Sequence, residues 1–178
     1  MKLTLVAAVA RGGALGLAGG LPWDLPLDLK RFRALTLDKP LIVGRKTYTS
    51  IGRPLPRRRM VVLSGRTDWR PEGVEVVPSL LAALVLLAEE AEVCVGGGAA
   101  VFAEALPLAT DFHLSAVHTT VPADVFFPPF EPTQWAVAEQ AHCPADARHA
   151  YAHTWYHLVR PSPGLPAAPA DPWADPPA

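Results

Sequence analysis

An α/β domain with a largely parallel sheet, closed late in the chain by antiparallel strands, is the fold class this sequence predicts. Three observations point to it. Short apolar runs recur at Leu3–Val9, Leu41–Val43, Val61–Leu63, Val74–Val77 and Val93–Val95, and unbroken apolar runs suit strands buried on both faces. Helix-like segments fall between them, at about residues 25–36, 80–90 and 99–106. Gly and Pro clusters punctuate the alternation, and no internal repeat competes with it.

The chain has 178 residues, half of them apolar, which suits one compact domain. The longest apolar run, Leu80 to Ala88, is half the ~18 residues of a membrane span. A soluble protein with no membrane partner is expected. Residues 2–10, KLTLVAAVA, imitate a signal peptide faintly, but β-branched residues favour a first strand and a cytoplasmic location. Cys94 and Cys143 form no motif, and Cys94 within EVCVGGG reads as a buried free thiol. The histidines show no ligand spacing, so no metal is expected.

Charge is unevenly distributed. Residues 1–70 carry 14 Lys and Arg against 4 Asp, whereas residues 71–178 carry 2 Arg against 13 acids. Because the cations sit among Gly, Pro and Thr rather than in an aromatic-lined stripe, a small polyphosphate is the expected partner and nucleic acid is not.

Taken in order, Leu3–Val9 is a strand, and GGALGLAGG after it has five glycines in nine residues, suited to a mobile flap. LPWDLPLDLKRFRAL follows. Pro26 is a good first-turn residue with Asp24 as N-cap, so a helix runs from near Leu25 to about Thr36. Lys30, Arg31 and Arg33 point away; Asp28, Phe32 and Leu35 share one stripe, with Leu29 beside them. Asp28 is therefore an acid on the apolar face. First-turn acids ordinarily complement the helix dipole, so other residues must decide its role.

Pro40 introduces the strand LIVG, then KTYTS and the turn RPLPRR; strands at Val61–Leu63 and Val74–Val77 follow, and Ser79 caps a helix over Leu80–Glu90. Beyond Val93–Val95 and the helix Ala99–Leu106, extended segments are expected at His113–Val117, Trp135–Glu139 and His153–Val159. Residues 1–160 make the domain. Residues 161–178 have seven prolines in eighteen positions and read as a flexible tail, with Trp173 its one anchor.

Three strand ends carry anion-binding chemistry. Gly96, Gly97 and Gly98 follow a strand and open a helix, which lets backbone N–H groups approach a phosphate. Arg45, Lys46 and Thr47 form a second corner, and Ser64 with Arg66 a third. In an open α/β sheet that edge is where ligands bind, and several phosphates on one cofactor explain the recurrence. A GxGxxG fingerprint is absent, which disfavours an ordinary Rossmann dehydrogenase.

The segments LPWDLPLDLKRF, GRKTYTSIGRPLPRR, VGGGAAVF and ADVFFP, in that order, resemble bacterial dihydrofolate reductase over roughly residues 1–160. The resemblance implies a central eight-stranded sheet flanked by four helices, NADPH as cofactor, and 7,8-dihydrofolate as substrate; a single domain with such a sheet is self-sufficient, so a monomer is expected. Hydride would reach pterin C6 while N5 gains a proton. Asp28 would grip the guanidine-like pterin edge with two parallel hydrogen bonds and favour protonated N5, with the proton arriving through water. Ser115, where the family usually has Thr, would bond that carboxylate, and the Trp23 indole would hold a water nearby. Val6 and Ala8 would offer backbone groups, Leu29, Phe32, Ile51 and Leu55 would wall the ring system, and Arg58 would hold the glutamate α-carboxylate. The flap from Leu15 and Gly16 to Leu21 would close over the nicotinamide, braced by Asp124.

For the cofactor, the resemblance implies Ala8, Gly44, Arg45, Lys46, Thr47, Leu63, Ser64 and Arg66, then Gly96, Gly97, Gly98, Ala99, Ala100, Val101 and Phe102. Either Val95 or Gly96 supplies the carbonyl facing the nicotinamide. Several departures stand out. Ala99 and Ala100 offer only backbone to the pyrophosphate, Phe102 lacks the hydroxyl of the usual Tyr, and Gly65 stands where many members place a 2′-phosphate arginine, leaving Arg66 to compensate. Two rival readings remain: a riboflavin-pathway reductase of the same fold, which has no need of the PWxLPxD pattern, and a non-catalytic folate or nucleotide binder.

Overall fold

A computed structural model describes residues 1–175. The chain opens with β1 (Lys2–Ala10), one 3-10 turn at Arg11–Gly13 and the short β2 (Ala14–Gly16). Next come α1 (Pro26–Thr36), β3 (Pro40–Gly44), α2 (Arg45–Ile51), β4 (Arg59–Leu63) and β5 (Glu75–Val77). The second half contains α3 (Leu80–Leu86), β6 (Glu92–Val95), α4 (Ala99–Ala105), β7 (Asp111–Val117), β8 (Val125–Phe126), β9 (Ala136–Cys143) and β10 (His153–Val159). None of the helices among the described residues is long and apolar enough to cross a membrane.

Eight strands form one sheet in the order β5-β4-β3-β6-β1-β7-β10-β9, and β2 pairs separately with β8. From β5 to β7 every pairing is parallel; β10 alone runs against both of its neighbours. The apolar runs explain the arrangement, because alternate residues of the same strands feed two cores. Leu3, Leu5, Ile42, Val61 and Val95 pack with Leu80, Ala83, Val101 and Phe102 of α3 and α4. Leu41, Val43, Met60, Val62 and Cys94 face the other way, toward Tyr48 of α2 and Phe32 of α1. Burial pushes the Cys94 thiol up to about 11, so it is an inert core residue.

Unequal strand lengths open the sheet. Parallel pairing of β1 with β6 ends at Leu5↔Val95, whereas β1 continues beside β7 as far as Ala10↔Val117. Lys2 N donates to Ala91 O, so the even-numbered residues of β1 turn their peptide groups toward β6. The Leu5↔Val95 pairing takes up the Val6 N–H, so the Val6 carbonyl and the Ala8 peptide group lie past the end of that partner, in a stretch of β1 that lines a cleft.

Four local expectations change. Leu25, not Asp24, occupies the N-cap of α1 and no side chain bonds there; Pro26 at the first turn starts the helix by its fixed φ alone. Ser79 does cap α3, accepting from Ala82 N at 3.1 Å, but the helix stops at Leu86 rather than Glu90, its last residues tightening into a turn. The last sheet strand but one begins at Ala136, not Trp135, and runs on to Cys143. The glycine-rich segment is partly ordered by the β2–β8 ribbon.

Residues 161–175 do not hang free, although the expected tail reaches residue 178 and its last three positions lie outside the described residues. Val137 N donates to Pro166 O at 2.8 Å and Ala168 N to Trp135 O at 3.0 Å. The Trp173 indole Nε1 donates to Val9 O at 2.7 Å, its ring meets Phe130, and its carbonyl accepts from Arg11 Nε at 3.2 Å. Arg11 also pairs with Asp175 at 2.6 Å. Proline content argues against a helix or inner strand here, but it also lowers the chain entropy lost on docking. One aromatic anchor then suffices. Trp173→Ala is expected to lower stability by about 1–3 kcal/mol, measured as a shift in the urea unfolding midpoint; an unchanged midpoint would mean the segment does not dock.

Candidate active site

The cleft beside β1 has a volume of about 1490 Å³ and separates α1 from the ends of β3, β4 and β6. Asp28 lies in its wall on the first turn of α1. The Ser115 hydroxyl, on the fully buried strand β7, donates to Asp28 Oδ1 at 2.5 Å. Asp28 Oδ2 accepts nothing from the described residues. Burial raises the Asp28 carboxyl above its ordinary value, while the Ser115 bond and the Arg31 charge act in the opposite direction. A half-buried carboxylate with one oxygen fixed and one free is poised for a ligand with paired donors.

Around it stand Val6, Ala8, Leu29, Phe32, Ile51 and Leu55, with Arg58 at the mouth. Arg58 is held by Thr36 Oγ1 at 3.2 Å and Pro56 O at 3.0 Å. Burial, then the nearby Arg33 and Arg57 charges, lower its pKa, which marks a cluster short of negative charge. Leu29 reaches the cleft although it is 52% exposed, because it sits at the rim.

The opposite edge is built from strand ends. Gly44, Arg45, Lys46 and Thr47 leave β3, Leu63, Ser64 and Arg66 leave β4, and Gly96 to Gly98 leave β6, followed by Ala99, Ala100, Val101 and Phe102; all line the cleft. Glycine is required at the junction: Gly97 has φ +115°, and a Cβ on Gly98 would lie 3.1 Å from Thr47 Oγ1. Gly44 N donates to Gly97 O at 2.8 Å, which ties the two corners together, and the Gly97–Gly98 peptide is cis. Arg45 and Lys46 have no acid partner among the described residues. Arg66 does have one: it holds Asp68 through Nε at 3.3 Å and Nη2 at 3.1 Å, so any phosphate there must compete with an exposed pair.

Leu15, Gly16 and Leu21 form the near side of the flap. Its tip is closed by reciprocal bonds between Leu17 and Gly20, and Asp124 holds it by accepting from Ala18 N at 3.0 Å while Asp124 N donates to Gly16 O. The Ser50 hydroxyl of α2 donates to Gly19 O across the cleft.

Two expected positions are buried and stand outside the residues that line the cleft. Val95 is fully buried behind its floor, so Gly96 presents the backbone there. Trp23 packs with Ala10, Ala14, Leu25 and Val117, and its buried Nε1 finds no acceptor among the described residues. Two residues of α1 also differ from expectation: Arg31 and Arg33 line the cleft rather than pointing away. Helical periodicity places a Cβ but not the end of a long side chain, which reaches round the helix.

His113, Trp155 and Ser50 are lining residues that sequence reasoning missed. His113 stacks on Trp155 with ring centroids 5.7 Å apart and on His157 at 4.3 Å. A usable signal existed for His113, which lies two residues before Ser115 on one strand and so shares its face. Trp155 could be placed only through the β7–β10 register, where it opposes Ser115. No group of three or more metal-ligating side chains occurs among the described residues.

A parallel-sheet domain whose strand ends gather unpaired cations and glycines opposite a half-buried carboxylate defines a nucleotide-binding α/β enzyme for a flat, donor-bearing substrate. The family model described as Dihydrofolate reductase matches residues 2–160, and the chain belongs to that family. It is 43% identical over 160 residues to a dihydrofolate reductase type 3 from Salmonella typhimurium, covering 90% of this chain and 99% of that protein. A dihydrofolate reductase from Staphylococcus aureus is 35% identical over 160 residues, with the same coverage of each chain. Among solved structures, a dihydrofolate reductase from Enterococcus faecalis complexed with NADP(H) and RAB-propyl superposes with TM-score 0.85 at 33% identity, covering 90% of this chain and 97% of that one.

Burial pushes the His113 ring down to about 4, helped by the charge of His157, and burial with the Arg31 charge does the same to His153. Both rings are neutral when folded, and an unfolded histidine near 6.5 binds protons first. Stability is therefore full above about pH 6.5 and falls as pH drops toward 4, by about 1.4 kcal/mol per pH unit for each ring. Urea midpoints measured between pH 7 and 4.5 check this. His153→Phe is expected to flatten the slope.

Proposed function

We propose that this chain reduces 7,8-dihydrofolate to 5,6,7,8-tetrahydrofolate with NADPH, acting as a cytoplasmic monomer whose residues 1–160 are the catalytic domain and 161–178 an appendage. The observation that carries the reading is Asp28, half-buried in the cleft wall with Oδ1 held by Ser115 and Oδ2 free. A pterin presents a ring N–H and an amino group side by side, and a carboxylate with this geometry takes both.

The phosphate edge fits the cofactor by its donor set: Arg45 and Lys46 without acids, the Thr47 and Ser64 hydroxyls, and glycines that let backbone approach. Arg66 would hold the 2′-phosphate after releasing Asp68, since an exposed pair is worth little. When bound, NADPH supplies the hydride. Gly96 to Gly98 and the flap from Leu15 to Leu21 would enclose the nicotinamide, and Ala8 would face it from β1. Val95 would act only as packing.

Asp28 would orient the substrate and stabilise positive charge at N5, while Trp23 Nε1 would hold a water that delivers the proton. Closing the flap excludes other water and strengthens that electrostatic effect. Leu29, Phe32, Ile51 and Leu55 would wall the ring and aminobenzoyl groups, Val6 would meet the pterin edge, and Arg58 would take the terminal carboxylate.

Oxidation of NADPH in the presence of dihydrofolate tests the reading. Asp28→Asn is expected to lower the rate by about 10²–10⁴-fold while the circular dichroism spectrum is unchanged; an undiminished rate contradicts the assignment. NADH is expected to be the poorer donor, and equal kcat/KM for both cofactors would remove the 2′-phosphate role of Arg66.

A further inference from the structure

Arg31 is set in surroundings unusual for an arginine. Arg11, Arg57, Arg59 and Arg66 each pair with a carboxylate, but Arg31 makes no ion pair among the described residues. Its guanidinium Cζ lies 4.7 Å from the centre of the Trp155 ring, and its Nη1 is buried with no acceptor among the described residues. Burying one nitrogen of a charged guanidinium without an acceptor is unfavourable unless an opposite charge is near. Asp28 is that charge: it precedes Arg31 by three residues on α1, so the two lie on neighbouring positions of one helix face.

The platform beneath Arg31 is rigid. Trp155 lies parallel to His113, at 3° between ring planes, and His113 stacks in turn on His157. His157 Nε2 is 2.7 Å from Asp111 Oδ1, which Lys2 Nζ also approaches at 3.1 Å. A planar guanidinium laid on this stack keeps one orientation.

We propose that Arg31 is a positioning residue for the reaction: held over the Trp155 ring, it keeps Asp28 ionised and turned toward the paired donors of the substrate. The inference rests on the reading of the site given above and names a residue that the reading does not use. Other groups packed around Asp28 are poorly placed to replace it. From β7 come the uncharged Ser115 and a neutral His113, and from β10 the uncharged Trp155 and a neutral His153. His149, in the loop before β10, accepts from Leu27 N through Nε2, so that nitrogen carries no proton. Trp23 precedes the helix and is uncharged. Lys30 and Arg33 are exposed, and Arg58 is held by Thr36 and Pro56. Arg31 is the charge that acts on Asp28 among the described residues, and it opposes the effect of burial.

The test is a carbon-13 NMR titration of the Asp28 carboxyl in the full ligand-free chain, compared among the wild type, Arg31→Gln and Arg31→Lys. Arg31→Gln is expected to raise the midpoint by about one pH unit, a tenfold gain in proton affinity, and Arg31→Lys to restore part of the difference. In steady-state assays the dihydrofolate KM of Arg31→Gln is expected to begin rising at a higher pH than that of the wild type, with a larger effect on KM than on kcat. If Arg31→Gln fails to fold, Trp155→Leu removes the platform and is expected to raise the same midpoint. An unmoved Asp28 midpoint in the folded variant overturns the proposal. Absence of reductase activity in the wild type would instead overturn the function, and the titration would still report on the Arg31–Asp28 coupling.

Discussion

The structure depends on one mismatch in length: β6 stops at Val95 while its neighbour β1 continues to Ala10. Past that point β1 has a partner on one side only, and the Val6 carbonyl and the Ala8 peptide group would be unsatisfied in a closed interior. A cleft open to ligand or water resolves the problem. The glycine corner follows from the same constraint, because the chain leaving β6 must turn at once against β3. Gly44 and Gly98 let those two backbones meet where any Cβ would intrude on Val101 or Thr47.

Asp28 belongs to the other wall, and its burial is tolerable only because several elements converge on it. β7 supplies Ser115, β10 supplies Trp155, and α1 supplies Arg31. Removing the carboxylate from water raises its pKa, and the hydroxyl and guanidinium work against that rise. The site is thus a balance between desolvation and two nearby polar groups, set by the register in which β10 lies against β7.

Residues 161–175 extend the same economy of contacts. Trp173 seats itself on Val9 and Phe130, and its carbonyl meets Arg11, the residue where β1 gives way to the flap. A segment outside the family match therefore touches the root of the element that covers the site.

Much of the fold was legible in the sequence, because a buried parallel strand needs an unbroken apolar run and a turn needs Gly or Pro; those demands are local. The oddity of Asp28 and the anion-binding character of three strand ends were legible for the same reason. What only the tertiary structure decided was which side chains meet. Arg31 follows the helical period outward, yet its long side chain folds back onto Trp155, a residue 124 positions further along the chain. His113 joins the wall through a stack spanning two strands, and Trp173 docks where composition argued for a free tail. Strand pairing and side-chain reach fix these contacts between distant residues, and no local pattern encodes them.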